Sequence, residues 1–243
     1  MRGSAAVGEE ERVATARRST ATAERIGNLV SVNVGASREV EWHGRLIRTA
    51  IWKDSVAGPV AVRGVNLAGD DQADRRLHGG VHKAVYAYGL EDYRWWSREL
   101  GVEFGPGTFG ENLTVEGFDV NAAWVGERWS IGTCVLEVSE PRMPCFKLGL
   151  RMDTTDFVPL FEMVGRFGAY LRIVEEGSVT GGDAVELVSR PDEQLTVTEL
   201  AESRRTDDFR LLERVVRHAA VSHSWSGAAR RALRRHTDAV NRT

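Results

Sequence analysis

Cysteine is almost missing from this chain, with two in 243 residues. Two thiols make no disulfide framework and cannot hold an iron–sulfur cluster, which takes about four thiolates. No apolar run is long enough to cross a bilayer, and no succession of charged, apolar and small residues marks a secretory leader. No strand–turn–helix carries the Gly-x-Gly-x-x-Gly spacing that seats a flavin or nicotinamide. Strong charge is missing too: the formal net charge is -3, which carries no bias towards nucleic acid or anionic membranes. These absences imply a cytoplasmic protein without membrane or nucleic-acid partners, and without an intrinsic flavin or iron–sulfur centre.

What is present is ordinary for a folded chain, 42% hydrophobic and 28% charged, and the length suits one large domain with a smaller attachment. Residues 1–26 are rich in Ala, Thr, Glu and Arg and poor in large apolar side chains, so a disordered tail is expected. Glu9, Glu10 and Glu11 argue against a transit peptide. Residues 27–190 form the body. Strand patterns are expected at 29–34, 45–51, 60–62, 84–88, 113–115, 129–138, 168–174 and 184–188, and residues 90–100 read as an amphipathic helix. Many short strands with turn glycines and few helices imply a mainly β body, a closed or nearly closed barrel; regular strand–helix alternation, as in an α/β sheet, is absent. From residue 191 the period turns helical. Thr196-Val197-Thr198-Glu199 is a capping-box signature, a second helix is expected over 208–219 and a third over 226–236. Three short helices must pack on each other and on the body to bury enough surface. Arg230, Arg231, Arg234 and Arg235 read as a solvated helix face.

Cys145 carries the most information. It lies in Pro141-Arg142-Met143-Pro144-Cys145-Phe146-Lys147, directly after a strand pattern, where prolines hold the backbone and the thiol need not be buried. A cysteine at such a position can be a small core hydrophobe or a nucleophile or metal ligand. Arg142 and Lys147 favour the latter, since adjacent cations stabilise a thiolate and attract anions. Cys134 differs, because period-2 alternation puts it on one face with Leu136 and Val138, which reads as core.

Other segments carry weaker signals. Gly79 and Gly80 could converge backbone N–H groups on an anion beside Lys83, or form a plain turn. His78 and His82 have helical metal spacing, but the two glycines break any helix between them, which argues against a zinc site. Thr108-Phe109-Gly110-Glu111-Asn112 places an amide and a carboxylate just before a strand. Residues 66–74 form a carboxylate-dense loop that reads as Asx-type turns, with calcium as the lesser alternative. Arg166 and Arg172 flank a strand as possible anion partners.

This succession resembles the MOSC family, named for the C-terminal domain of molybdenum cofactor sulfurase. The resemblance covers residues 27–190 through Gly58-Pro59, the 66–74 loop, Gly79-Gly80 with Lys83, Phe109-Gly110-Glu111-Asn112, Arg142 with Cys145 and Lys147, and Gly165-Arg166. The helices after residue 190 resemble the three-helix extension of bacterial stand-alone members. The resemblance implies a MOSC-type β-barrel that binds the molybdenum cofactor, with Cys145 as the molybdenum ligand and catalytic centre. It implies that Asn112 and Arg142 contact the pterin or shape the metal pocket, and that Gly79, Gly80 and Lys83 cradle the pterin or its phosphate. Lys147 and Arg166 would add positive charge. His82 stands where the family is often acidic. The implied reaction is reduction of N-hydroxylated compounds (hydroxylamines, hydroxylaminopurines, amidoximes) to amines. Electrons would come from a separate flavodoxin- or ferredoxin-type reductase, because the chain has no centre of its own for them. Two alternatives stay open: a non-catalytic carrier of molybdenum cofactor or sulfur, and a metal-free anion-binding module. Nothing resembles a pyridoxal phosphate domain.

Overall fold

The computed structural model describes residues 23–73 and 79–240; most of the expected tail, and His78, lie outside them. The first strand, β1 (Glu24–Val34), is followed by a hairpin of β2 (Arg38–Trp42) and β3 (Arg45–Thr49), then β4 (Asp54–Val56), β5 (Val60–Arg63) and β6 (Asn66–Leu67). A 3-10 turn at Val81–Lys83 precedes β7 (Val85–Gly89), α1 (Leu90–Leu100) and β8 (Leu113–Glu116). Next come β9 (Arg128–Ile131), β10 (Cys134–Pro141), α2 (Phe146–Arg151), α3 (Phe157–Val164), β11 (Ala169–Glu175), β12 (Gly177–Val179) and β13 (Ala184–Ser189). Three helices end the chain: α4 (Val197–Glu202), α5 (Phe209–Arg217) and α6 (His223–Val240).

The main sheet runs β13-β9-β10-β11-β7-β8-β1, and pairing of β13 with β1 closes it into a seven-stranded barrel, with β4 hydrogen-bonded outside β1. Closure removes the unpaired edges that an open sheet presents. All pairs in it are antiparallel except β7 with β8. Length lets β1 do several jobs. It meets β13 at Glu24–Asn28, β8 at Asn28–Val32 and β4 at Val32–Val34, bending through two register shifts as bulged strands do. The barrel is filled by Leu29, Val32, Val85, Leu113, Trp129, Ile131, Leu136, Val138 and Leu171.

Apart from Trp129, the fully buried aromatic side chains gather beside the barrel or among the C-terminal helices. Tyr86, Tyr88, Tyr93, Trp96, Phe109, Phe157, Phe161 and Phe167 form a second core under α1, α2 and α3. A third core joins the C-terminal helices through Leu200, Leu212, Val215 and Trp225 to Val125, with Met143 packed against it. Thr196 accepts from the Glu199 N–H and Glu199 accepts from the Thr196 N–H, completing the expected capping box on α4. Arg230, Arg231, Arg234 and Arg235 are exposed on α6.

Four expectations need correction. Residues 129–138 are not one strand: Gly132 adopts φ +57, and a Cβ there would fall 2.3 Å from the Ser178 carbonyl oxygen, so the chain turns and β9 and β10 pair as a hairpin. The pattern at 45–51 ends at Thr49, where pairing with β2 stops. The body starts before residue 27, because Glu24 and Arg25 pair with Leu187 and Glu186. Finally, α2 and α3 occupy a region for which no helix was expected. One spacing also misleads: Gly105-Pro106-Gly107-Thr108-Phe109-Gly110 matches Gly-x-Gly-x-x-Gly, but it leads from a helix into a strand. The Gly107 N–H is given to Glu111 Oε1, 2.6 Å away.

Candidate cofactor site

Strands β7, β8, β10 and β11 share one end of the barrel: β10 finishes there at Pro141, opposite Ala169 of β11, which pairs with Ala87 of β7. A cleft of about 650 Å3, counting its open side, lies against that end. Tyr86, Asn112, Arg142, Cys145, Lys147 and Tyr170 all line it. Thus Cys145 is brought together with Lys83, Asn112, Arg142 and Lys147, residues up to 64 positions apart in sequence.

Cys145 owes its position to the prolines. Pro141 ends the strand, and Pro144 confines the residue before it to extended backbone. Cys145 itself is extended, φ -136 and ψ 171, and its carbonyl accepts from the Leu148 N–H at 2.8 Å to start α2. The side chain is half-buried. Cys134, at the other end of β10, is fully buried; its thiol donates to the Ile131 carbonyl at 3.2 Å, and burial pushes its pKa up to about 12. Cys134 is core, as its pattern implied.

Arg142 lies beneath the cleft, 5% exposed. Its guanidinium sits 5.6 Å from the Tyr86 ring centroid and 5.8 Å from that of Phe161, and its Nη1 has no hydrogen-bond partner among the described residues. Burial acts to lower its pKa, but Tyr86, Tyr170 and Cys145 outweigh that and hold it above the usual arginine value. A buried cationic donor without a partner is costly, and one facing a cleft can be satisfied by a bound anion.

The opposite wall contains a buried ion pair between Lys53 and Asp70, with side chains 7% and 2% exposed. Burial lowers the Lys53 pKa, opposed by Asp70. Asp70 also accepts from the Gly35 N–H at 2.9 Å and, through Oδ2, from Asn112 Nδ2 at 2.9 Å. Asn112 Oδ1 in turn accepts from the Tyr86 N–H at 3.1 Å. Asn112 is therefore clamped by protein bonds that fix the floor of the cleft. Among the described residues, Lys53, Lys83, Arg142 and Lys147 face it against Asp70 and Asp71, a formal excess of two positive charges. In the described part of the 66–74 loop, Asp71 Oδ1 accepts from the Gln72 N–H at 2.8 Å, one residue on and not the two of an Asx turn, while Asp70 pairs with Lys53.

Three expected site residues are not brought in. Gly79 and Gly80 are not among the residues lining the cleft; Gly80, at φ +95, accepts the Lys83 N–H at 3.0 Å and so aims the turn that carries Lys83. Arg166 is committed elsewhere. It pairs with buried Asp92 at 2.5 Å and lies 4.8 Å from the Trp95 ring centroid, because burial raises the Asp92 pKa and that carboxylate needs a cation. His82 shares a hydrogen bond with Ser139 Oγ at 2.9 Å. Lys53, Tyr86 and Met143 line the cleft without having been singled out by sequence. Among the described residues no three His, Cys, Asp or Glu side chains could hold a metal together.

Residues 74–186 match the MOSC domain family. The chain is 34% identical over 200 residues to the uncharacterized protein YflK of Bacillus subtilis, covering 82% of this chain and 90% of that one. It is 33% identical over 176 residues to a reductase of Gibberella moniliformis, covering 71% of this chain but only 31% of that protein. The crystal structure of YiiM from Geobacillus stearothermophilus superimposes with a TM-score of 0.70 at 29% identity, over 85% of this chain and 99% of that one.

Proposed function

This chain belongs to the MOSC family, and from that premise we propose that it binds the molybdenum cofactor at Cys145 and reduces N-hydroxylated compounds to amines. The observation that carries the reading is the pairing of a half-buried thiol with a buried, unpartnered Arg142 Nη1 in one positively charged cleft. The residues fit the group. A thiolate is a soft ligand suited to a metal already bound by sulfur, and a phosphate-bearing pterin is an anion that Lys83, Arg142 and Lys147 can hold. When bound, the cofactor would supply a metal able to exchange two electrons.

In this reading Arg142 takes a cofactor oxygen with its unpartnered nitrogen, and Lys83 and Lys147 hold the phosphate. Asn112, clamped to Asp70 and Tyr86, keeps the floor rigid. Tyr170 lines the same cleft, and burial raises its pKa against the opposing pull of Arg142. Its Oη thus keeps its proton at neutral pH and can donate a hydrogen bond to the substrate oxygen. The reaction breaks the N–O bond; two electrons and two protons convert R–NHOH to R–NH2 and water. A relative bearing the name reductase shares 33% identity with this domain over 176 residues, which supports redox chemistry.

No helix among the described residues is long and apolar enough to cross a membrane. The electron donor in this proposal is a separate flavodoxin- or ferredoxin-type reductase. The test is turnover. Purified protein loaded with cofactor should reduce a hydroxylaminopurine or benzamidoxime repeatedly with reduced viologen, show no turnover with NADH or NADPH alone, and regain nicotinamide-dependent turnover when such a reductase is added. Loaded protein that is inert to all these substrates yet transfers its cofactor to an apo-molybdoenzyme would be a carrier instead.

A further inference from the structure

The residues after 186 lie outside the family match, yet they build part of a cavity that reaches Cys145. A second cleft of about 780 Å3 shares Lys83, Met143, Cys145 and Tyr170 with the first, and takes Arg204 and Trp225 from the helical unit. Arg204 follows α4, and Trp225 lies in the first turn of α6. The Arg204 guanidinium carbon is 3.7 Å from the Trp225 ring centroid, a stacking distance. Trp225 is 2% exposed and fixed in the helical core, so it backs the guanidinium while Arg204 itself is exposed. The result is a weakly hydrated guanidinium held against an indole ring at the cleft, with part of its surface left open.

One carboxylate bridges the helical unit and Lys83 of the first cleft. Glu140, in β10 and 5% exposed, accepts from Ser222 Oγ at 3.2 Å through Oε2, and its Oε1 lies 3.5 Å from Lys83 Nζ. Burial lowers the Arg204 pKa and Glu140 acts to raise it, so the two charges sense each other across the cleft. Opposite lie Tyr170, Phe146 and Met143, surfaces that accept planar rings through aromatic and thioether contacts.

We propose that this second cleft binds the N-hydroxylated substrate and selects planar aromatic or heteroaromatic ones, whose ring lies on the Arg204 plate with the N–O group turned towards the shared edge at Cys145. The cofactor then occupies the first cleft and the substrate the second. The helical extension is a specificity element in this arrangement, with Arg204 as the positioning residue. This assignment rests on the reductase reading, but its binding step can be measured separately.

Adenine, the amine left by reduction of a hydroxylaminopurine, and benzamide, a neutral planar stand-in for benzamidoxime, are titrated calorimetrically into wild type, Arg204→Ala and Arg204→Lys. Wild type should bind both, and each variant should bind about tenfold more weakly, because lysine keeps the charge but loses the plane. Thermal melting checks the fold; if the alanine variant is unstable, the lysine variant decides. In viologen-driven turnover, Arg204→Lys should raise KM for benzamidoxime by a similar factor with little change in kcat. Absence of binding to wild type, or equal affinity in all three proteins, overturns the assignment. So does full affinity in the lysine variant. Turnover with unaltered binding removes the Arg204 plate and leaves the reductase, whereas Arg204-dependent binding without turnover keeps the plate and removes the reductase.

Discussion

Strand β10 begins at one cysteine and delivers the chain to the other, and its two ends are built in opposite ways. At Cys134 the end is closed: the thiol is buried, donates a hydrogen bond to the Ile131 carbonyl, and burial drives its pKa up to about 12. At Cys145 the end is open: prolines arrest the ladder, the thiol is half-buried, and an unpartnered arginine nitrogen lies in the same cleft. One end lowers its energy within the protein, and the other leaves polar valence for a ligand. The same residue type thus serves packing or chemistry according to whether its neighbours are apolar or cationic.

The contrast breaks most visibly by substitution at the open end. Cys145→Ser should abolish viologen-driven reduction, since an alcohol does not replace the thiolate; comparable kcat/KM in this variant and wild type would refute the ligand assignment. Asp70→Ala should come next, costing about 3–5 kcal/mol by denaturant unfolding, the range for leaving a buried charge without its partner. Lys53 would then be stranded beneath the cleft. A cost below about 1 kcal/mol would mean that Lys53 reaches water.

Arg142→Lys keeps the charge but loses the directed fork. Cofactor affinity should fall by roughly 1.5–3 kcal/mol, the range for charge-assisted hydrogen bonds, and unchanged retention on dialysis of Arg142→Ala would make the arginine structural only. At the closed end, Cys134→Ser should leave metal content intact and cost about 1–3 kcal/mol of stability, the penalty for a poorly satisfied buried hydroxyl. Loss of metal in that variant alone would exchange the roles of the two ends.

The smallest effect concerns Glu111 beside the cleft. Its Oε1 accepts from Tyr93, Gly107 and Thr114, while Oε2 has no hydrogen-bond partner among the described residues, and burial raises its pKa above the usual glutamate value. A carboxyl whose folded pKa is raised stabilises the protein below its unfolded pKa of about 4.3, and that contribution is lost as pH rises through the folded value. Wild type should therefore lose stability relative to Glu111→Gln as pH rises above about 4.3. A difference that stays flat above that pH would show that the carboxyl is ionised in both states.

Much of the barrel was legible because alternation and turn glycines report directly on pleat and reversal. The residues 129–138 misled because two period-2 runs abut: the inward positions are Trp129 and Ile131 before Gly132 but Cys134, Leu136 and Val138 after it, and that one-residue slip in phase marks the turn. Helices α2 and α3 are short, 6 and 8 residues, and packing of Phe157 and Phe161 into the aromatic core holds them more than their own periodicity does. In the site, Lys83, Asn112, Arg142, Cys145 and Lys147 were legible as a set through their motifs. Arg166 was not legible as a partner of Asp92, 74 positions away, nor Lys53 as a partner of Asp70. A lone lysine or arginine in sequence reads as solvated until the fold brings a carboxylate to it.

The most direct measurement is the molybdenum content of wild type, Cys134→Ser and Cys145→Ser, all produced in a host that makes the cofactor. The account predicts about one molybdenum per chain in wild type and Cys134→Ser, as expected for a single thiolate ligand, and background in Cys145→Ser. Wild type without molybdenum, or equal molybdenum in all three, would contradict it.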